Sequence, residues 1–218
     1  MRVTATVLFF MAVPGLALAQ GDRTGSWEWS VGATYQESNS LSSEQGTSLD
    51  VESEYGIGFN LGYHLTNNLT VGFDMDFIKP DYRAVLVDDT VSPAETTIIE
   101  HRFSQWNGRF KGTYSLGNGP LQPFIEAGLG WTFVDSNVAD GDPIVGCWWH
   151  PWWGYICDGF YSTFSDTTFT YGAGLGLRYR FAGGTFLKAG YNVWQLDSIG
   201  PTGDASISGA RLEFGWGF

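Results

Sequence analysis

Eight segments of the chain alternate apolar and polar side chains with a period of two. Strict alternation of this length predicts a strand with two chemically different faces. The first segment places Trp27, Trp29, Val31, Ala33 and Tyr35 on one parity and Glu28, Ser30, Gly32, Thr34 and Gln36 on the other. The remaining seven segments are 55–63, 69–77, 106–116, 125–133, 169–179, 187–193 and 212–218. The sequence therefore predicts an all-β protein of eight strands.

The connections between these segments alternate between long and short. The long ones lie near 38–50, 79–96, 136–163 and 197–205, and the short ones are 66–68, 117–120 and 182–184. Asn and Gly in the short connections supply the positive φ angles that tight hairpins require. Four long loops at one end and three short turns at the other predict an antiparallel up-and-down barrel.

The polar parity indicates which face of this barrel points inward. A soluble lipocalin-like barrel would enclose a ligand with its apolar face, whereas a membrane barrel turns that face to lipid. Here the polar parity combines many glycines with mid-strand charges, which suits a narrow, crowded lumen. We therefore predict an eight-stranded transmembrane β-barrel, whose closed sheet leaves no unpaired backbone in hydrocarbon. The lumen charges are Glu28, Asp74, Asp76, Arg109, Lys111, Glu126, Arg178, Lys188, Arg211 and Glu213.

The first residues have the pattern of a secretory signal. An early Arg2 precedes an apolar run that ends in Ala-Leu-Ala, and we predict a signal peptide over 1–19 with cleavage after Ala19. The run is too short for a spanning helix and is broken by Pro14 and Gly15. Residues 20–25 are then a periplasmic tether and 26–218 the outer-membrane barrel.

The acidity of the chain bears on which classes of partner it binds. The formal net charge is -12. A nucleic-acid-binding protein neutralises phosphates with a basic surface, so we predict no nucleic-acid partner.

The end of the chain carries a recognisable pattern. Phe214, Trp216 and Phe218 alternate with polar or small residues and finish on a C-terminal Phe, which resembles the signal by which the barrel-assembly machinery recognises outer-membrane proteins. Glu213 stands where the fullest form of that signal has glycine. Together with PFIEAGLGW at 123–131 and TYGAGLGLRYRF at 170–181, the mature chain resembles the small eight-stranded outer-membrane barrels, namely the OmpA transmembrane domain, OmpX, OmpW and the opacity proteins.

That resemblance implies a place in the cell outer membrane among lipid and lipopolysaccharide. It also implies internal salt bridges, because the OmpA barrel contains them. Five carboxylates and five bases in the lumen would balance as an ion-pair network. One interpretation is a packed polar plug, and the other is a gate whose pairs exchange to pass small solutes. The chain stops at Phe218, so we expect no peptidoglycan-binding domain of the kind that follows the OmpA barrel.

The histidines give little support to catalysis. Lipid A deacylases carry a His-x-Ser pair. Here His64 is followed two residues later by Thr66 and not by Ser, and His101 is followed by Ser104 only three residues later, so no such pair is present. Lipid A palmitoyltransferases begin with an amphipathic helix, for which residues 20–25 are too few. We therefore predict a protein that is not an enzyme and binds no cofactor.

The two cysteines enclose an aromatic run, CWWHPWWGYIC. Cys147, His150 and Cys157 offer three metal ligands, but a structural zinc site normally has four with paired spacing. In an oxidising compartment two cysteines in a loop usually form a disulfide. We predict a Cys147–Cys157 disulfide and no metal.

That disulfide would make the run a hairpin on the extracellular side. Trp149 would then face Tyr155 across the pair, with Trp152 and Trp153 at the tip. The rings either pack on the barrel rim or form a recognition surface for lipopolysaccharide, a surface glycan or a small hydrophobic ligand. The candidate recognition residues are Trp148, Trp149, Trp152, Trp153 and Tyr155.

The expected function follows from these features. We expect a non-catalytic barrel with a largely plugged lumen that contributes to membrane structure and to surface interaction through acidic loops and the aromatic hairpin. The alternative is an OmpW-like conduit for small hydrophobic molecules, and a lipid-A-modifying enzyme is the third possibility.

Overall fold

The computed structural model describes residues 22–42, 48–88, 95–139, 144–152, 154–160, 163–197 and 205–218. No helix in these ranges is long and apolar enough to cross a membrane. The strands, in chain order, are β1 (Trp27–Gln36), β2 (Asn39–Ser42), β3 (Ser48–Val51), β4 (Glu54–His64), β5 (Leu69–Ile78), β6 (Asp81–Asp88), β7 (Glu95–Arg102), β8 (Ser104–Ser115), β9 (Leu121–Ala139), β10 (Ile144–His150), β11 (Gly154–Phe160), β12 (Thr163–Arg180), β13 (Thr185–Leu196) and β14 (Ala205–Gly217).

Eight of these strands close into the predicted antiparallel barrel, in the order β1-β14-β13-β12-β9-β8-β5-β4. Each of the eight alternating segments in the sequence corresponds to one barrel strand. Closure brings the two ends of the barrel chain together, since Phe218 N–H donates to Trp27 O at 2.8 Å and Trp27 N–H donates to Phe218 O at 2.9 Å. Every barrel strand therefore has two neighbours, as membrane insertion of a sheet requires.

The alternation separates the two faces as predicted. Apolar side chains such as Leu129, Phe110 and Leu175 lie on the outside, where they are 48%, 56% and 65% exposed to the surroundings of the isolated chain. The ten predicted lumen charges all point inward, and each is at most 7% exposed. The outer face is thus the lipid face.

Glycine on the inner face allows neighbouring strands to approach each other closely. A Cβ atom at Gly130 would overlap the carbonyl oxygen of Gly108, and one at Gly176 would overlap that of Ala189. The polar parity is therefore rich in glycine because the interior of an eight-stranded barrel has little room.

The three short connections, 65–68, 116–120 and 181–184, lie together at what we call the turn end. Gly117, Gly183 and Gly184 have φ angles of +87°, +96° and +86°, in the left-handed region that glycine tolerates. The Asn68 side chain donates to the backbone oxygen of Ser115 at 2.8 Å and so joins two neighbouring connections. The predicted positive φ angles are therefore present at the glycines of the second and third connections.

The opposite end, which we call the loop end, contains strands where the sequence predicted only long loops. Strands β2, β3, β6 and β7 form a separate sheet in the order β2-β3-β6-β7. His101 lies in β7 of this sheet and not in a barrel strand. Pro80 explains why β5 and β6 are separate strands, because proline has no N–H to donate to a strand ladder. Its carbonyl accepts from Phe103 N–H at 3.1 Å.

Strands β10 and β11 form a second unit at the loop end. They pair only with each other among the described strands, with Cys147 opposite Cys157 and Trp149 opposite Tyr155. This backbone register is the one expected from the sequence. Gly154, with a φ of +73°, begins the returning strand.

Candidate functional site

The centre of the lumen holds a closed ring of alternating charge. Six side chains from five strands take part, and each ion pairs with the next. Around the ring the nitrogen–oxygen distances are 2.6 Å for Lys188–Glu126, 3.6 Å for Glu126–Lys111, 3.1 Å for Lys111–Asp74, 2.5 Å for Asp74–Arg211, 3.0 Å for Arg211–Glu213 and 3.8 Å for Glu213–Lys188. The predicted balance of charges therefore takes the form of a ring in which every ion has two partners of opposite sign.

A further pair extends the ring toward the loop end. Arg211 Nη1 lies 2.9 Å from Asp76 Oδ1, and Arg109 Nη1 lies 3.0 Å from Asp76 Oδ2. The Asp76 carboxylate is therefore held by two guanidinium groups, one of which belongs to the ring. Ser30 also takes part, because its hydroxyl donates to Glu213 at 2.5 Å.

A second cluster lies at the turn end of the lumen around Glu28. Arg178 Nη2 lies 2.5 Å and His64 Nε2 lies 2.7 Å from the same carboxylate oxygen, Oε2. The other His64 nitrogen, Nδ1, lies 2.8 Å from the Thr70 hydroxyl. His64 was assigned no role from the sequence, yet it is 2% exposed and belongs to this cluster. Its even parity, shared with Gly62 and Asn60, was the signal that could have placed it inside.

Three aromatic rings also point into the lumen, which corrects the expectation that large apolar residues would all face lipid. Phe124, Phe186 and Trp194 are 2%, 2% and 5% exposed. Each supports a lumen cation, with Lys188 Nζ 4.5 Å from the Phe124 ring centre, Arg178 Cζ 3.8 Å from that of Phe186, and Arg109 Cζ 4.4 Å from that of Trp194. Cation–π contacts compensate part of the desolvation of buried charges. These residues share parity with Glu126 and Lys188, so the sequence did contain the signal.

The space left between these side chains is small. A cavity of about 30 Å³ lies beside Asp76, Arg109, Asn107 and Trp194. That volume has room for at most a few water molecules. The polar contacts continue toward the loop end through Asn107, whose Oδ1 accepts from the Thr132 hydroxyl at 2.7 Å.

A larger and mostly apolar pocket of about 210 Å³ lies at the loop end. It is bounded by residues of the barrel mouth and by residues of the β2-β3-β6-β7 sheet. The sequence could not indicate this pocket, because its walls come from nine strands and a connecting segment that meet only in the folded chain. Its apolar lining is Leu49, Val51, Tyr82, Phe103, Val134, Leu196, Ala205 and Ile207, and its polar lining is Gln36, Asn39, Gln105, Ser136 and Asp166.

The described rings of the β10–β11 hairpin are exposed. Trp149, Trp152 and Tyr155 are 72%, 86% and 69% exposed. The side chains of Cys147, Cys157 and Trp148, and all of Trp153, lie outside the described residues, so the disulfide and the complete recognition surface stay predictions.

Charges on the loop-end sheet are paired with each other. Arg102 donates to Asp81 through Nε at 2.7 Å and Nη2 at 3.1 Å, and these hydrogen bonds lower the pKa of the Asp81 carboxyl. Arg83 lies 3.5 Å from Glu100. Within the described residues, no group of three His, Cys, Asp or Glu side chains is arranged to hold a metal ion.

Comparison with known families agrees with this architecture. The sequence matches the family model of the outer membrane protein beta-barrel domain over residues 4–218. The chain belongs to this outer-membrane barrel family. It is accordingly an outer-membrane protein, and the outer face described above is in contact with lipid. A comparison with curated proteins finds no match.

Solved structures of three outer-membrane proteins share the fold. OprG of Pseudomonas aeruginosa has a TM-score of 0.56 at 13% identity, with 91% of this chain and 98% of that chain covered. Neisserial surface protein A has a TM-score of 0.54 at 15% identity, with 91% and 98% covered. Ail of Yersinia pestis, solved in complex with the heparin analogue sucrose octasulfate, has a TM-score of 0.50 at 15% identity, with 89% and 99% covered. At these identities the likeness concerns the fold.

The predicted site residues of this barrel therefore fall into three groups. The ten lumen charges lie inside the barrel, with six in the ring, Asp76 and Arg109 beside it, and Glu28 and Arg178 in the second cluster. Phe214, Trp216 and Phe218 share the lipid face of the last strand and are 48%, 37% and 69% exposed. The hairpin forms its own two-stranded unit, separate from the barrel ladder.

Proposed function

We propose that this protein is a non-catalytic outer-membrane barrel with a plugged lumen, which supports the membrane and interacts with its surroundings through the loop end. The closed charge ring is the observation that carries the proposal. Every ion in the ring is held on two sides, so a solute crossing the centre of the lumen would have to separate at least two ion pairs.

Energetics favour a closed ground state. Removing one partner of a buried ion pair costs about 3–5 kcal/mol, because the other charge is left without compensation. The side chains of Phe124, Phe186 and Trp194 fill further space in the lumen, and the cavity beside Asp76 and Arg109 has a volume of only about 30 Å³. A static plug therefore fits the packing better than an exchanging gate.

Single-channel recording in planar bilayers tests the plug. We expect the wild-type barrel to show no steady conductance. The double variant Lys188→Ala with Arg211→Ala should conduct if it folds, because it opens the ring and leaves its carboxylates lining a wider bore. Leu175→Ala on the lipid face is the control and should stay closed. Steady conductance of the wild type would contradict the plugged lumen.

We place no catalysis in this proposal. Both nitrogens of His64 are engaged inside the lumen, by Glu28 and Thr70. His101 is exposed, and its Nδ1 accepts from the Arg102 backbone N–H at 2.7 Å. Neither histidine is joined to a serine by a hydrogen bond recorded for the described residues. An assay for lipid A hydrolysis or acyl transfer should detect no turnover.

For surface interaction, we propose that the aromatic hairpin binds the saccharide part of lipopolysaccharide or a surface glycan. Exposed aromatic clusters usually mark contact sites, and rigid indole rings dominate small interfaces. Ail was solved with a polysulfated sugar, but the acidity of the present chain and the pairing of Arg83 and Arg102 favour a sugar of low charge.

Binding of purified lipopolysaccharide and of neutral glycans tests this role. The double variant Trp152→Ala with Trp153→Ala should bind at least several-fold more weakly while folding normally. Ile98→Ala removes an exposed apolar side chain from the loop-end sheet and serves as the control. Unfolding of the double tryptophan variant would instead assign these rings to packing.

A conduit for small hydrophobic molecules is the second candidate function, and the apolar loop-end pocket favours it. A volume of about 210 Å³ accommodates a small apolar molecule. Val51→Trp should fill the pocket and abolish binding of an apolar fluorescent probe. If Val51→Trp and the wild type bind the probe equally, the pocket is not a ligand site.

A further inference from the structure

Two arginines at the turn end carry charge that no described carboxylate pairs with. Arg23 lies in the tether before β1, and Arg180 is the last residue of β12. Each is half-buried. The ion pairs of the described residues include Arg83, Arg102, Arg109, Arg178 and Arg211, but neither of these two.

Arg23 is held in a defined position. Its backbone N–H donates to Asn67 Oδ1 at 2.7 Å, and its guanidinium donates to the Asn67 backbone oxygen. Gly25 N–H donates to His64 O at 2.9 Å, which fixes the tether to the end of β4. The remaining terminal nitrogen, Nη1, is buried and has no hydrogen-bond partner. Because buried polar groups normally have a hydrogen-bond partner, this nitrogen lacks an acceptor.

Arg180, at the end of β12, lies at the turn end of the barrel as well. It has the parity of Arg178, which points into the lumen, and it lies opposite the lumen residue Phe186 in the strand register. Its backbone N–H donates to Pro120 O at 2.8 Å. Burial, followed by repulsion from Arg180, lowers the pKa of Arg23 to about 10, so the two guanidinium groups interact electrostatically.

The centre and the turn end of the lumen differ in how their charges are paired. In the centre of the lumen, four carboxylates face four bases. At the turn end the buried carboxylate is Glu28, which is already bound by Arg178 and His64. The nearest carboxylate along the chain, Asp22, is exposed and accepts from Thr24 N–H at 3.0 Å. Arg23 and Arg180 therefore take part in no ion pair among the described residues.

We propose that Arg23 and Arg180 together bind a phosphate group at the turn end of the barrel. Guanidinium groups match phosphate oxygens with paired, charge-assisted hydrogen bonds. The site also lies at the level of a phosphate, because Trp27, Tyr63 and Tyr179 near it are of the type that marks the membrane–water interface. The phosphate belongs either to a phospholipid headgroup or to a soluble anion, and both present the same chemistry to the arginines.

Native mass spectrometry and calorimetry on the folded protein in detergent test the site. The probes are phosphatidylglycerol and inorganic phosphate. We expect the wild type to bind at least one probe at least tenfold more tightly than Arg23→Gln with Arg180→Gln. The matched control, Arg83→Gln with Arg102→Gln, makes the same change in net charge at the loop end and should bind like the wild type.

The two probes distinguish the sources. Binding of phosphatidylglycerol alone assigns the site to a lipid headgroup, and binding of inorganic phosphate assigns it to a soluble anion. Folding of each variant is checked by its shift on SDS gels after boiling, and the single variant Arg180→Gln, which leaves the tether intact, should already weaken binding. Equal loss in the control pair, or binding of neither probe by the wild type, would overturn the proposal.

Discussion

Arg211 and Asp74 lie 2.5 Å apart in the centre of the barrel, and each side chain is at most 5% exposed. Arg211 also contacts Asp76 and Glu213, so one guanidinium forms ion pairs with three carboxylates. No other base among the described residues forms ion pairs with three carboxylates. This makes Arg211 the residue on which the charge ring most depends.

Arg211→Ala should therefore destabilise the barrel strongly. The variant leaves buried carboxylates uncompensated, and we expect the free energy of unfolding to fall by about 3–5 kcal/mol. Guanidinium titration of the folded protein, followed by tryptophan fluorescence, measures this. Arg83→Ala removes an exposed pair and should cost about 0–1 kcal/mol. Equal stability of both variants would mean that the ring does not support the fold.

Deletion of Phe218 should lower insertion into the outer membrane. The ring is 69% exposed on the lipid face, while the backbone of Phe218 pairs with Trp27 at barrel closure. We expect less protein in the outer-membrane fraction. Phe218→Tyr, which keeps the aromatic ring and the backbone pairing, is the control. Normal amounts of the deletion would show that the terminal pattern is not an assembly signal.

Replacement of Cys147 and Cys157 by Ser should loosen the hairpin without weakening the barrel. A crosslink that encloses few residues contributes about 2–3 kcal/mol, here confined to the β10–β11 unit. Thermal melting of the barrel should stay nearly unchanged, while hydrogen exchange of 144–160 increases. Free thiols in protein taken from the outer membrane would contradict the disulfide.

Acid should loosen the loop-end sheet through Asp81. The hydrogen bonds from Arg102 lower the pKa of this carboxyl in the folded state. A lowered pKa means that the contribution to stability is present above the unfolded value, about 3.9, and is lost as the pH falls through the folded value. Hydrogen exchange in β6 and β7 should increase below about pH 4. Asp81→Asn should exchange faster at neutral pH and lose this dependence.

The sequence by itself determined the strands, their number and their two faces. Alternation is a local property, so segments such as 27–36 and 169–179 predicted both the strand and the side that each residue faces. The same parity rule applied to single residues would also have placed Phe124, Trp194 and His64 inside. The lumen charges could be identified in this way because hydrocarbon excludes them from the other face.

Only the tertiary structure decided which charges meet and where space remains. The ring joins Lys188 to Glu126, 62 residues apart, through the stagger of strands in a closed barrel. The loop-end pocket and the approach of Arg23 to Arg180 depend in the same way on which strand ends closure brings together. Periodicity assigns a face to a residue, but it does not assign a height in the barrel or a neighbour across the lumen. Those depend on the register of every strand pair and on closure between the first and last strands.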